Sequence, residues 1–305
     1  MKRDFISIHD WTVDEIEHLF ESAQDMKKNP SAYWKVLDGK TLAMIFEKQS
    51  LRTRVTFQVG IQQLGGHAII LTPADISLGK RESVYDVAKN LERWVDGIMI
   101  RTFGHSICTD MAKYASIPVI NGLTDLLHPC QALADYFTIR EIKKNLKGVK
   151  VAFFGDGNNV ANSLMLCGAK VGAHVAVATP KGYEPKKEIV DAARDDAKRT
   201  GGTITITNDL NEAVRNADVV YTDVWASMGQ ESETKSRDSI FRPYQVNMDL
   251  MKRAGQNALF LHCLPAHRGD EVTDDVIDSQ QSVVYQEAEN RLHVQKAIMY
   301  EVMKG

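Results

Sequence analysis

At 305 residues the chain is long enough for two domains, each with its own core. Its 44% hydrophobic and 25% charged residues fit a globular protein, and a formal charge of −3 offers no basic field for nucleic acid. There is no apolar leader-like run, no stretch apolar enough to span a bilayer, and no C-x-x-C pairing among Cys108, Cys130, Cys167 and Cys263, so a cytoplasmic protein with free thiols, no metal and no membrane partner is expected.

Thr12-Val-Asp-Glu15 reads as a capping box that opens a helix with apolar positions at Ile16, Leu19, Phe20 and Ala23. Strands are expected at 41–46, 67–71, 97–101 and 117–120, with helices near 53–64, 82–94 and 106–115. That alternation predicts a parallel-sheet α/β domain. His128-Pro129-Cys130-Gln131 opens a long helix to about residue 145, with Pro129 at its first position. After Lys147-Gly-Val-Lys150 a second series follows: strands 150–154, 174–178, 203–206, 218–222 and 258–261, with helices 158–171, 185–199, 210–216 and 247–253. A last helix over 287–303 needs a surface to cover its apolar face. The domain boundary is placed near residue 140.

Ser50-Leu51-Arg52-Thr53-Arg54 carries the clearest chemistry. It joins a strand to a helix whose first turn brings unpaired N–H groups, two guanidiniums and short hydroxyls, a combination suited to phosphate. A solvated helix start with Ser50 as an ordinary cap is the plain alternative. Arg101 ends its strand, where a cation needs an anion or a salt-bridge partner. His128 and Gln131 are three apart at a helix start and can face one ligand, or His128 can simply cap.

Gly155-Asp-Gly157-Asn158-Asn159-Val160 lacks the third glycine of a dinucleotide fingerprint, and no acid ends the following strand, so a nicotinamide cofactor is rejected. Asn158 and Asn159 remain as polar groups at a ligand edge. Asp223, in Asp223-Val-Trp-Ala-Ser227-Met228-Gly229, can pair with an ammonium group, or merely start a loop. His262 and Cys263 are neighbours at a strand end and should point to opposite faces, so Cys263 is read as a thiol that contacts substrate without forming a covalent intermediate. Arg291 reads from its position as a surface arginine.

Taken together, Phe46-Glu47-Lys48 leading into Ser50-x-Arg52-Thr53-Arg54, His128-Pro-Cys-Gln131, Asp223-Val-Trp-x-Ser227-Met228-Gly229 and His262-Cys263-Leu264-Pro265 resemble the ornithine carbamoyltransferases. Gly155-Asp-Gly-Asn-Asn-Val-Ala-Asn162 and Val119-Ile-Asn-Gly-Leu-Thr-Asp125 extend the match to nearly the whole chain. The resemblance implies two parallel-sheet α/β domains joined by interdomain helices. Residues 1–140, with the C-terminal helix 287–305 packed back on them, would bind carbamoyl phosphate, and 141–286 would bind ornithine. It implies carbamoyl phosphate on Ser50, Leu51, Arg52 and Thr53, with Arg101, His128, Pro129, Cys130, Gln131, Cys263, Leu264 and Arg291 around the carbamoyl group. Asn159, Asp223, Ser227 and Met228 would hold ornithine, and Arg101, His128, Thr53 and Cys263 would be catalytic. No cofactor is implied, and homotrimers or assemblies of trimers are.

Two positions depart from the family pattern. Leu51 replaces the usual Thr, which removes one phosphate-facing hydroxyl, and Ser77 replaces the usual Gln in a loop like that of the aspartate enzymes. Ser77, with Lys80 or Arg81, is therefore expected to reach a neighbouring subunit's carbamoyl phosphate. The aspartate enzyme, N-acetylornithine and putrescine enzymes, and a non-catalytic binding protein are the alternatives.

Overall fold

The computed structural model describes residues 2–76, 78–79, 81–226, 234–255 and 257–304, and its strands pair in parallel into two sheets. The chain divides into two compact units, one of Met1–Leu133 with Glu289–Gly305 and the other of Ala134–Ala288.

The first unit runs α1 (Val13–Lys28), β1 (Thr41–Phe46), α2 (Arg52–Gln63), β2 (His67–Leu71), α3 (Val84–Leu91), β3 (Gly97–Arg101), α4 (His105–Tyr114), β4 (Val119–Leu123) and the start of α5 (Pro129–Lys143). The predicted capping box forms: Thr12 accepts the Glu15 N–H and the Glu15 carboxylate accepts the Thr12 N–H. The sheet order is β2-β1-β3-β4. β1, β3 and β4 are buried on both faces, as continuous apolar runs in a parallel sheet should be, and the edge strand β2 is partly exposed. Ile45, Ile98, Ile100, Val119, Val87 and Met111 form part of the core on one side, each fully buried aliphatic contributing about 1.5–3 kcal/mol.

The second unit runs β5 (Lys150–Phe154), α6 (Asn159–Val171), β6 (His174–Ala178), α7 (Lys187–Thr200), β7 (Thr203–Thr207), α8 (Leu210–Val214), β8 (Val219–Thr222), α9 (Thr234–Phe241), α10 (Met248–Ala254), β9 (Leu259–Leu261), α11 (Asp274–Ile277) and the start of α12 (Val284–Met303). Its order is β7-β6-β5-β8-β9.

In each sheet the chain leaves one central strand toward one edge and its neighbour toward the other. β1 feeds β2 while β3 feeds β4; β5 feeds β6 while β8 lies beside β9. The crevice at the carboxyl ends of such a strand pair is where open α/β sheets bind ligands. Ser50–Arg52 and Arg101 stand there in the first unit, and Gly155–Asn159 and Asp223 in the second.

Three expectations change. The strand expected at 117–120 is Val119–Leu123, starting two residues later and running on through Asn121-Gly122. The Asn121 N–H donates to the Phe5 carbonyl at 2.8 Å and its side chain to the Ile6 carbonyl at 3.0 Å, and a Cβ at Gly122 would lie 2.5 Å from Met99 Sδ. The helix expected at 82–94 is shorter, starting behind the Ser83 cap and ending at Leu91. α9 and α11 were not expected, and α12 begins at Val284, three residues early. The apolar face of its last turns is covered within the first unit: Met299 Cε would lie 2.8 Å from a Cβ at Gly60, and Lys27 donates to Asn290 at 2.8 Å.

Candidate active site

The first unit gathers a cationic half-site. α2 begins at Arg52, and the Ser50 hydroxyl accepts the Thr53 N–H at 3.1 Å. Thr53 is buried in the first turn, where its Oγ1 accepts from Arg291 Nη2 at 3.1 Å and from Arg101 Nη1 at 3.5 Å. With two donors on its oxygen, its own O–H is left to point elsewhere. Arg291 also donates to Gln131 Oε1. At 2% exposure Arg291 is no surface arginine, which corrects the reading from position alone: helical spacing shows which way a side chain leaves its helix, not what lies against that face.

His128 is buried in the same half-site. Burial, then the charges of Arg291, Arg101 and Arg52, hold its imidazole well below the ordinary histidine range, so it is neutral at physiological pH. Three guanidiniums around a neutral imidazole make a desolvated positive field, which calls for an anionic ligand. Pro129 takes the first position of α5 as expected. Cys130 turns away from this field: its thiol donates to the Asn121 carbonyl at 3.3 Å and burial pushes it up to about 12, so its side chain belongs to the core. Leu51 is 72% exposed and lines, with Glu47, Lys48, Ser50, Arg54 and Pro73, a cavity of about 590 Å³. Lys48 was quoted in the motif without a role; it is buried, with its ammonium 4.5 Å from the Phe103 ring centre. Its signal is a lysine two residues past a buried parallel strand.

The second unit gathers an acidic, proton-donating half-site. Asp223, just past β8, accepts from Asn158 Nδ2 at 2.8 Å and from the Cys263 thiol at 3.2 Å. Asn158 also caps α6, its Oδ1 accepting from the Val160 and Ala161 N–H groups. Asn158 therefore makes the side-chain bond to Asp223, while the expected Asn159 opens the helix. Gly155 has φ 138°, and a Cβ at Gly157 would lie 2.2 Å from Pro185 N, so both glycines are needed for the turn that presents this asparagine.

Cys263 is held well above the ordinary thiol range, first by burial and then by the Asp223 and Glu287 charges. It is a protonated donor and not a thiolate nucleophile. The side chains of His262 and Cys263 do not diverge: with Asp223, their polar atoms lie within 4.8 Å of one another. The alternation argument fails because β9 ends at Leu261, as expected, and both His262 and Cys263 lie beyond it. These three residues do not fit a metal. His262 Nδ1 accepts the Leu264 N–H at 2.9 Å, Nε2 faces Glu271 Oε1 at 3.1 Å, and the thiol proton is given to Asp223. Ser77, Ser227 and Met228, expected at the site, lie outside the described residues.

Two family models match. The aspartate/ornithine carbamoyltransferase carbamoyl-P binding domain matches residues 3–141, and the Asp/Orn binding domain matches 147–302. Ornithine carbamoyltransferase of Thermococcus kodakarensis is 54% identical over 305 residues, covering 99% of this chain and 97% of that protein. A relative of Pyrococcus furiosus described as an anabolic ornithine carbamoyltransferase is also 54% identical, over 99% and 97% of the two chains. The solved ornithine carbamoyltransferase from P. furiosus superposes with a TM-score of 0.96, covering 100% of this chain and 98% of that one.

Proposed function

The chain belongs to the aspartate/ornithine carbamoyltransferase family, and from that premise we propose that it transfers the carbamoyl group of carbamoyl phosphate to the δ-amine of L-ornithine, giving L-citrulline and phosphate. Asp223 carries the choice of ornithine: a buried carboxylate, already receiving Asn158 and Cys263, marks the amino-acid edge with negative charge. An aspartate enzyme would want an added cation for the second carboxylate of its substrate, and a putrescine or N-acetylornithine enzyme would have no free α-ammonium for Asp223.

Residues 1–140 with 287–305 bind carbamoyl phosphate and 141–286 bind ornithine. Arg52 and the α2 start hold the phosphate, helped by the Ser50 and Leu51 amides. Arg101, neutral His128 and the Thr53 hydroxyl, with Gln131 and Arg291 beside them, donate to the carbamoyl oxygen as the amine adds and the tetrahedral oxyanion forms. The C–O bond to phosphate breaks, and the phosphate, more basic as it leaves, takes the amine proton. Holding both reactants in line supplies much of the acceleration. Asp223, Asn159, Ser227 and Met228 hold the amino-acid end, with Cys263 and Leu264 near the reacting centre.

The chain works in the cytoplasm as a homotrimer or an assembly of trimers. Leu51, Val55 on α2 and Ile69 on the edge strand β2 are 72%, 47% and 48% exposed, apolar surface that another copy would cover. In a shared site, Ser77→Ala subunits mixed with subunits defective at Arg52 regain activity in hybrid oligomers; no recovery counts against sharing. The primary test is citrulline formation from carbamoyl phosphate and ornithine, run beside aspartate, putrescine and N-acetylornithine. Turnover selective for another amine means that the Asp223 half-site has been misread, and no turnover with any of the four favours a binding protein.

A further inference from the structure

The turn after β9 carries Cys263 and Leu264, and its backbone is imposed from outside. Leu264 has φ 56°, a left-handed conformation that a residue other than glycine keeps only where its surroundings hold it. Two buried acids grip the preceding residue. Glu271 meets the His262 ring while the other ring nitrogen accepts the Leu264 N–H. Glu287, in the first turn of α12, accepts the His262 backbone N–H on Oε2 at 3.0 Å and the Tyr221 hydroxyl on Oε1 at 3.3 Å. It also hydrogen-bonds Asp135 of α5, carboxyl to carboxyl, and the two are 1% and 0% exposed. Such a bond requires one proton between the two acids.

We propose that Glu287 is a positioning residue for the amino-acid substrate: anchored on Asp135, it fixes the His262–Leu264 turn and so the place of the Cys263 thiol against Asp223. This rests on the reading of that half-site as the ornithine site. Burial, then the Asp135 charge, raises the Glu287 carboxyl well above the ordinary range, which keeps the shared proton at neutral pH. The titratable groups acting with the pair are Tyr136 on α5, Cys167 on α6, Tyr221 on β8, and Asp223 and Cys263 beyond β8 and β9. Each is neutral or anionic, so raising the pH adds only like charge. Once the shared proton is lost, two carboxylates repel inside the fold, and the turn loses its anchor.

The test compares wild type with Glu287→Ala and Glu287→Gln. Glutamine can accept the His262 N–H with its oxygen and donate to Asp135 with its amide, with no proton to lose. Glu287→Ala is expected to raise the KM for ornithine about tenfold or more while the KM for carbamoyl phosphate stays within about twofold. Glu287→Gln is expected to return the ornithine KM to within about threefold of wild type. The second readout is inhibition by L-norvaline, which has the ornithine backbone without the δ-amine, from neutral pH up to the alkaline limit at which the protein stays folded. Titration of the inhibitor cancels in the ratio of the wild-type to the glutamine Ki, and that ratio is expected to rise with pH. If both KM values rise together in Glu287→Ala, or if the Ki ratio is flat with pH, the proposal is overturned. Should Glu287→Ala fail to fold, the Ki ratio decides alone. Failure of the ornithine reading looks different, because wild type itself then forms no citrulline.

Discussion

The two half-sites occupy the same place in two similar sheets and carry opposite electrostatics. At the β1/β3 switch point, Arg52, Arg101 and Arg291 surround a neutral His128. At the β5/β8 switch point, a carboxylate receives an amide and a protonated thiol, with further buried acids behind it. Topology puts a crevice at each position, and on the proposed reading side-chain charge decides which ligand fits: a phosphoryl anion in one and an ammonium group in the other. The burial differs in kind as well. The first half-site stores positive charge around a neutral imidazole, whereas the second stores a thiol proton beside a carboxylate.

Breaking the cationic side should cost most. Arg101→Leu is expected to lower kcat by about a hundredfold or more, as for loss of an oxyanion donor, in steady-state citrulline assays. Near-normal turnover would remove Arg101 from the carbamoyl oxygen. Breaking the acidic side should be smaller and confined to one substrate. Asp223→Asn keeps a side chain that can accept from Asn158 but loses the charge, so the KM for ornithine is expected to rise about ten- to a hundredfold. The affinity for carbamoyl phosphate, measured by calorimetry on the same variant, should not change. A parallel loss for both ligands would mean that the two halves are not chemically separate.

The cationic half was the more legible of the two in the sequence. Its strand-to-helix junction, Arg101 at a strand end and His128 before Pro129 are local patterns, and local patterns survive folding. Arg291 was not legible without the resemblance, because its meaning depends on Thr53 and Gln131, more than a hundred residues away. In the acidic half, Asn158 and Asn159 were both legible as polar groups at a ligand edge, but the bond from Asn158 to Asp223 was not, because a cap is identified by backbone geometry that two adjacent asparagines do not distinguish. His262 and Cys263 were expected to diverge because strand alternation was carried on past Leu261, where the strand was expected to end and does end. The strand was expected to stop at residue 120, since Asn121-Gly122 inside a buried strand makes sense only once Met99 and the Phe5–Ile6 segment are packed against it. Glu287 and Asp135 left no mark at all, because acids are almost never fully buried unless paired and no spacing announces a shared proton.

Leu51 sharpens the comparison on the phosphate side. Its side chain adds exposed apolar surface to the cavity beside α2, where a hydroxyl would reach the phosphate. Leu51→Thr is expected to lower the KM for carbamoyl phosphate by about tenfold, the lower end for a hydrogen bond to a charged group, since the position is open to water. Ornithine parameters should stay fixed. No change would mean that the backbone amides and Arg52 already saturate the phosphate.

The smallest effect tests whether His128 is the neutral member of its cationic cluster. Its folded-state pKa lies well below the unfolded value near 6.5, because burial and three guanidiniums oppose the imidazolium. Above pH 6.5 both states are neutral and the residue adds no pH dependence. Below it, the unfolded chain takes up a proton that the fold refuses, so stability falls as the pH drops toward the folded value. Replacing His128 with Gln should make that fall shallower by at most one proton's slope, about 1.4 kcal/mol per pH unit, as read by calorimetry without ligand. His293, which burial and then Lys296 and Lys27 hold down to about 4, acts in the same direction in both proteins and cancels from the comparison. Equal slopes would show that His128 is protonated normally in the fold. Inorganic phosphate then gives a second arm, because an anion among Arg52, Arg101 and Arg291 offsets the charges that keep the imidazole neutral. Its addition should raise the histidine pKa and shrink the difference between wild type and variant, and it should do so only if the anion binds where those three arginines meet.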